Sequence, residues 1–289
     1  MSNDKARPQA LSQIELERRA FRKSRKQKST LVAFVSTIAF AAIAWFTIVN
    51  APGWDRVEQS FFDLETMQAA LPKVLDGLLL NLRVLFFSTI GVLVFGLTLA
   101  LLGTLRAPIF TPIRLLVRGY IDLFRGLPLI IVLYLVGFGI PGLRLEFLGR
   151  IPAEVLGTIA LILTYSAYVA EVFRAGIEAV HPSQRLAARS LGLSYGQSMR
   201  LVVLPQAFRK VAPPLMNDFV SLQKDVGLIS VLGAVDAVRA AQIEVARFAN
   251  FTPYVLAGLL FVLLAIPTVR LADYITTRLA KREQAGGVL

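Results

Sequence analysis

His181–Pro205 reads HPSQRLAARSLGLSYGQSMRLVVLP, and its residue pattern predicts two short helices separated by a glycine turn. Ser183–Arg189 is rich in helix formers, and Gly192 follows where a C-terminal glycine takes positive φ. Ser194 stands three residues before Gln197, the capping-box spacing, so it is expected to cap the second helix. Small Ala187 and Ala188 allow another surface to approach closely, and Leu191 and Leu193 offer apolar contact on either side of the turn. A helix of about two turns is marginal in isolation. It needs docking, either onto its own chain or onto a partner. His181, beside Pro182, reads as a solvated loop residue rather than a catalytic one.

Outward from this loop the chain becomes strongly apolar. Of its 289 residues 55% are hydrophobic and 17% charged, whereas an ordinary soluble domain carries about 45–50% and about 25%. The apolar residues also gather into blocks near the length of about 20 that a helix needs to cross hydrocarbon. These are 31–49, 77–103 (interrupted by Asn81 and Arg83), 120–140 (with Asp122 and Arg125 in its first turns), 155–172 and 254–269. A weaker block, 211–231, is broken by Asn217, Asp218, Gln223, Lys224 and Asp225. The first block exceeds the usual h-region of a signal peptide, about 7–15 residues, and is expected to be a retained anchor.

Charge decides the weak block. The net charge is +12, and nine Lys/Arg precede the first span, which places that tail in the cytoplasm by the positive-inside rule. With six spans, the stretches 1–30, 104–118, 174–210 and 270–289 fall inside and carry 22 Lys/Arg, against 6 in 50–73, 141–153 and 233–252. Dropping the weak span would put the basic C-terminal tail outside. The basic excess therefore reads as a topology signal and not as a nucleic-acid footprint. Residues 54–72 are expected to form an amphipathic segment on the outer surface.

Several chemistries are excluded. There is no cysteine, so disulfides, thiol catalysis and cysteine-bound zinc are out. No G-x-x-x-x-G-K-[ST] phosphate loop, H-E-x-x-H or G-x-S-x-G occurs, and one histidine cannot build a multi-imidazole metal site. What remains is transport, a channel or a scaffold.

The loop resembles the EAA loop of the membrane subunits of ATP-binding-cassette importers: E-A-A, three residues, Gly, nine residues, Ile, one residue, Leu-Pro. Ala187, Ala188, Gly192, Leu204 and Pro205 match, Val202 stands for the isoleucine, and Leu186 replaces the glutamate. Further likeness is to the polar amino acid permeases of the histidine/glutamine/arginine group. Arg125–Leu129 resembles their R-G-T-P-L, 170–176 their A-E-[IV]-F-R-G-[GA], 204–207 their L-P-Q-A, and 224–228 their K-D-T-S-L, which in that family lies within a transmembrane helix. The resemblance spans about residues 74–280 and implies an all-α, MetI-like bundle of five core helices, with 31–49 as an extra N-terminal span.

The implied organisation is a basic tail (1–30), the extra anchor (31–49), an extracytoplasmic segment (50–73), the permease domain (74–273) and a cytoplasmic tail (274–289). The resemblance implies a non-enzymatic subunit that binds no cofactor itself, with ATP and magnesium held by two separate ATPase subunits. It also implies an extracytoplasmic solute-binding protein, a second permease subunit of the same or a related sequence, and a bacterial inner-membrane location with both termini in the cytoplasm. Gln184, Ala187, Ala188, Gly192, Leu204 and Pro205 are the expected ATPase-coupling positions. Polar groups inside spans should face the bundle interior, so Asn81, Arg83, Asn217, Asp218 and Gln223 are candidates for the solute path. Glu171 and Arg174, three apart, share a helix face and can pair, whereas adjacent Lys224 and Asp225 point about 100° apart and should find different partners. An importer of an opine or another amino-acid-like solute is the neighbouring alternative. A stand-alone ion-coupled transporter or channel is the alternative of another class, and it should show inverted repeats, which the sequence lacks.

Overall fold

The computed structural model describes residues 13–105, 107–145 and 150–286. The first twelve residues of the basic tail, with Lys5 and Arg7, lie outside the described residues, as do the last three of the C-terminal tail. The chain divides into two units, Met1–Gln59 and Ser60–Leu289.

The first unit is built on one helix, α1 (Gln13–Val49), running unbroken from the basic stretch through the apolar block. Leu31, Phe34, Phe40, Trp45 and Phe46 are all exposed. Such a surface is a liability in water and a match for hydrocarbon. Its few polar side chains satisfy themselves on the helix: Thr37 Oγ1 donates to the Ala33 carbonyl at 2.7 Å and Thr47 Oγ1 to that of Ile43 at 2.8 Å. A short helix, α2 (Trp54–Phe61), follows, its polar and apolar residues segregated as the sequence suggested.

In the second unit, Asp63 caps α3 (Leu64–Gly103), accepting from the backbone N–H of Glu65 and Thr66. At 40 residues α3 is about 60 Å long, twice what a bilayer needs, so it starts well before the apolar block at 77. It packs along α7 (Ala153–Glu178), which in turn packs against α10 (Leu204–Asp225) and α4 (Thr111–Gly126). The core between them centres on Leu133, Leu156, Leu161 and Ile229, each buried to within 2%.

Two expected spans are not single straight helices. The block 120–140 is broken after Gly126: α4 ends there, and α5 (Leu129–Tyr134) with α6 (Ile140–Gly142) continues at 107° to it. Pro128 has no N–H to extend α4 and pushes Leu127 into the extended region, ψ 132°. The block 211–231 is likewise compound. α10 stops at Asp225, a 3₁₀ stretch carries Val226–Leu232, and Gly233 at φ +90° ends it. Residues 233–252, expected as a loop, contain a helix instead, α11 (Ala237–Phe248), capped by Asp236 and bent 52° from the preceding pair. The last helix, α12 (Thr252–Gly286), runs past 269 and absorbs most of the C-terminal tail. Among the described residues four helices are long and apolar enough to cross a membrane, and the two bent pairs bring the number to six if each is one span.

Wide π turns occur at Leu135–Gly139 and Met199–Val203, each ending two residues before a proline, Pro141 and Pro205. A proline cannot bond the carbonyl four residues back and its ring clashes with it. Those carbonyls, of Gly137 and Leu201, lie in the middle of the two π turns, which gives the widening a local cause.

Candidate functional site

The loop 181–205 folds largely as its sequence predicts. α8 (Pro182–Ser190) opens with proline, and His181 is its cap: Nδ1 accepts from the Ser183 N–H at 3.3 Å and lies 2.7 Å from Ser183 Oγ. His181 is thus exposed but structural, a role its loop position did not announce. At the other end Gly192 takes φ +79°, its N–H donates to the Arg189 carbonyl at 3.0 Å, and the Leu193 N–H donates to that of Ala188 at 3.2 Å. This six-to-one closure is a Schellman turn. Nothing lies within 4 Å of where a Gly192 Cβ would stand, so backbone conformation alone favours glycine there. Ser194 then caps α9 (Tyr195–Ser198) in a complete capping box with Gln197.

Several contacts hold this loop on the membrane helices. Arg185 donates to the Ile177 carbonyl, Tyr195 Oη to the Thr104 carbonyl at 3.1 Å, and Lys210 Nζ to the Ala179 carbonyl at 3.0 Å. Gln206 reaches Gln184 Oε1 at 3.5 Å. Beneath, Ile177, Val180, Val203 and Ala207 form a small apolar cluster. Ala188 is buried, while Gln184, Ala187 and Pro205 are exposed and Leu204 is half-buried. α7 and α10 meet closely there: a Cβ on Gly176 would stand 2.1 Å from Val211 Cγ1. The outer face of the loop, by contrast, carries Leu186 at 63% and Leu191 at 81% exposure. Two large apolar side chains turned outward on a rigidly capped helix form a ready contact surface.

Next to the loop, Arg174 bridges two carboxylates. It donates through Nε to Glu171 at 2.9 Å and through Nη1 to both oxygens of Glu178 at 2.7 Å. The expected Glu171–Arg174 pair is present, and Glu178 at i+4 completes it. These groups border a cleft of about 410 Å³ that Arg118, Arg125 and Arg185 also line.

The five solute-path candidates do not gather in one place. Asn81 is 1% exposed and fully engaged: Nδ2 donates to the Val226 carbonyl at 3.2 Å and to Asp236 Oδ2 at 3.0 Å, and Oδ1 accepts from the Ala237 N–H at 3.0 Å. It fastens α3 to the joint between the 3₁₀ stretch and α11. Arg83 and Asn217 are exposed. Asp218 Oδ2 and Gln223 Nε2 are buried with no hydrogen-bond partner among the described residues. Lys224 is exposed, and Asp225 accepts from Tyr165 Oη at 2.7 Å, so these neighbours do point to different surroundings. Tyr165 and Asp218 also share a cavity of about 30 Å³, roughly one water's share of space.

The family model of binding-protein-dependent transport system inner membrane components matches residues 93–281. The chain belongs to this family. As a membrane transport component it is 34% identical over 198 residues to the arginine transport system permease protein ArtQ of Bacillus subtilis (strain 168), covering 68% of this chain and 87% of that one. It is 32% identical over 209 residues to the glutamate/aspartate import permease protein GltK of Escherichia coli O6:H1, covering 68% and 92%. The fold of an amino acid ABC transporter crystallised with histidines matches with a TM-score of 0.67 and 34% identity, over 75% of this chain and 98% of that one. The MetI-like all-α reading therefore stands, and this transport component is a membrane-embedded permease subunit.

Sequence reading of this component passed over Arg185, Tyr195, Glu178, Tyr165 and Asp236. Glu178 was recoverable, since it stands four residues from Arg174. Tyr165 and Asp236 act on residues 60 and 155 positions away, and no local signal marks them. The ion pair of Lys73 with fully buried Glu244, at 2.5 Å across 171 residues, is of the same kind.

Proposed function

We propose that this permease subunit imports a polar amino acid across the cytoplasmic membrane, with both termini inside and six crossings. ATP and magnesium belong to two partner ATPase subunits, a solute-binding protein delivers cargo from outside, and a second permease subunit completes the pore. The observation that carries the reading is the capped α8 with Leu186 and Leu191 facing outward, on the loop that matches the EAA pattern. In this reading α8 seats on the ATPase through Gln184, Ala187 and its exposed leucines. Ala188 and Gly192 keep it rigid, and the displacement passes through Leu204 and Pro205 into α10.

Closure of the ATPase pair then biases the membrane helices between two packings, one open to each side. Glu171, Arg174 and Glu178 lie in the last turns of α7, directly before the loop, and serve as the ion-pair joint of that motion. Asp218 and Gln223 supply the polar groups of the solute path, with Arg83 and Asn217 at exposed positions, while Lys224 and Asp225 are gating groups beside it. Asn81 acts on this path by fixing α3 to Asp236. The similarity to transporters named for arginine, glutamate/aspartate and glutamine supports an amino acid cargo.

The test is to co-express the chain with its neighbouring ATPase and binding protein, purify through this subunit, and reconstitute the complex. The ATPase should co-purify, and ATP hydrolysis should rise with the binding protein and one of the twenty amino acids. A chain that transports without any ATPase overturns the proposal.

A further inference from the structure

The geometry of α1 points to a function beyond anchoring: we infer that its basic end holds an anionic phospholipid. This rests on neither the cargo nor the ATPase reading. Between residues 13 and 30 stand seven Lys/Arg and two Glu, and no acidic residue follows Glu17 until Asp55. Five of the seven fall within Arg22–Lys28, directly before the apolar block, and these five are exposed. Because α1 is one unbroken helix, it fixes the depth of each side chain. With a rise of about 1.5 Å per residue, Arg22 lies about 13.5 Å from the start of the apolar block and Lys28 about 4.5 Å. All five therefore stand within or close to a Debye length of the headgroups, about 8–10 Å in ordinary salt.

The distribution around the helix is also ordered. A shallow groove runs down one face, lined by Lys23, Lys26, Gln27, Thr30, Leu31 and Phe34. These positions recur at three and four residues and descend from cations through hydrogen-bonding side chains to hydrocarbon. A phospholipid has the same order: phosphate, glycerol and ester oxygens, then acyl chain. The two lysines complement the phosphate, Gln27 and Thr30 face the ester region, and Leu31 and Phe34 meet the chain. Two cations and no acid favour a headgroup of net negative charge over a zwitterionic one.

The test uses the full transporter in nanodiscs of phosphatidylcholine with about one third phosphatidylglycerol, with native mass spectrometry counting the lipids retained. The phosphatidylglycerol-to-phosphatidylcholine ratio of the retained lipid should exceed that of the bulk about fivefold or more, and the enrichment should collapse in about 1 M salt. K23Q/K26Q should abolish it and K23R/K26R should keep it. R25Q/K28Q removes equal charge off the groove and should leave at least half of it. An unchanged helical circular-dichroism spectrum and unfolding temperature confirm that each variant is folded. No enrichment in the unmodified chain overturns the inference, and so does equal loss in K23Q/K26Q and R25Q/K28Q, which would reveal diffuse attraction without a groove.

Discussion

Gly192 offers a graded perturbation of the loop, because its only constraint is its backbone. At φ +79° with open space around the missing Cβ, Asn, Ala and Val differ only in how they tolerate the left-handed region. Asparagine enters it readily and should cost a few tenths of a kcal/mol. Alanine should cost about 1 kcal/mol, and β-branched valine about 2–3 kcal/mol. The alternative is for the turn to open, which loses the bonds from the Gly192 and Leu193 N–H groups at about 0.5–1.5 kcal/mol each, a similar ceiling. Two kcal/mol lowers the ratio of closed to open turn about thirtyfold, enough to loosen a lever without unfolding the bundle. The assay is uptake by the reconstituted transporter, normalised to incorporated protein, alongside hydrogen exchange at the Leu193 amide. Activity should fall, and exchange rise, in the order Gly, Asn, Ala, Val. Normal uptake with valine, or an equal loss in all three variants, refutes the role of the turn.

Leu191→Asp at an 81% exposed site should leave stability within about 0.5 kcal/mol yet weaken ATPase capture by about tenfold or more, read by titration of the purified subunits. Asn81→Ala breaks three buried hydrogen bonds and strips a partner from Asp236, and should cost about 3 kcal/mol in detergent unfolding, whereas exposed Arg83→Ala should stay within about 0.5. Equal shifts for the two would dismiss the staple. Gly176→Val places a side chain 2.1 Å or less from Val211 and should cost about 1–3 kcal/mol, seen as reduced membrane abundance and a lower unfolding temperature. Tyr195→Phe loses one exposed bond to Thr104 and should shift stability by about 1 kcal/mol or less on the same unfolding scale.

What the sequence made legible was local. The cap at Ser194, the glycine stop at Gly192 and the Glu171–Arg174 pair each depend on residues within four positions, and each stands as read. Hydropathy found every apolar block but could not see direction within one. The apolar run 127–140 masked the break that Pro128 imposes. α11 escaped because its buried face, with Ala237, Ala240, Ala241 and Glu244, is small-residue and partly charged rather than apolar. The polarity of Asn81 was visible, but its partners at 226, 236 and 237 come only from the fold, and they turn a residue singled out as solute-facing into a brace.

The widened turn at Met199–Val203 also alters how α10 presents itself. A π turn takes up one residue beyond the α-helical count, and each residue is worth about 100° of rotation. Everything downstream of Leu204 is swung by about that angle relative to an unbroken spiral begun at Tyr195. A projection drawn straight through from Ser194 would turn Ala207 and Val211 away from α7, which they in fact face, and would misassign the bearing of Asp218 and Asp225. The azimuth of the whole segment is thus set by a single surplus residue beside Pro205.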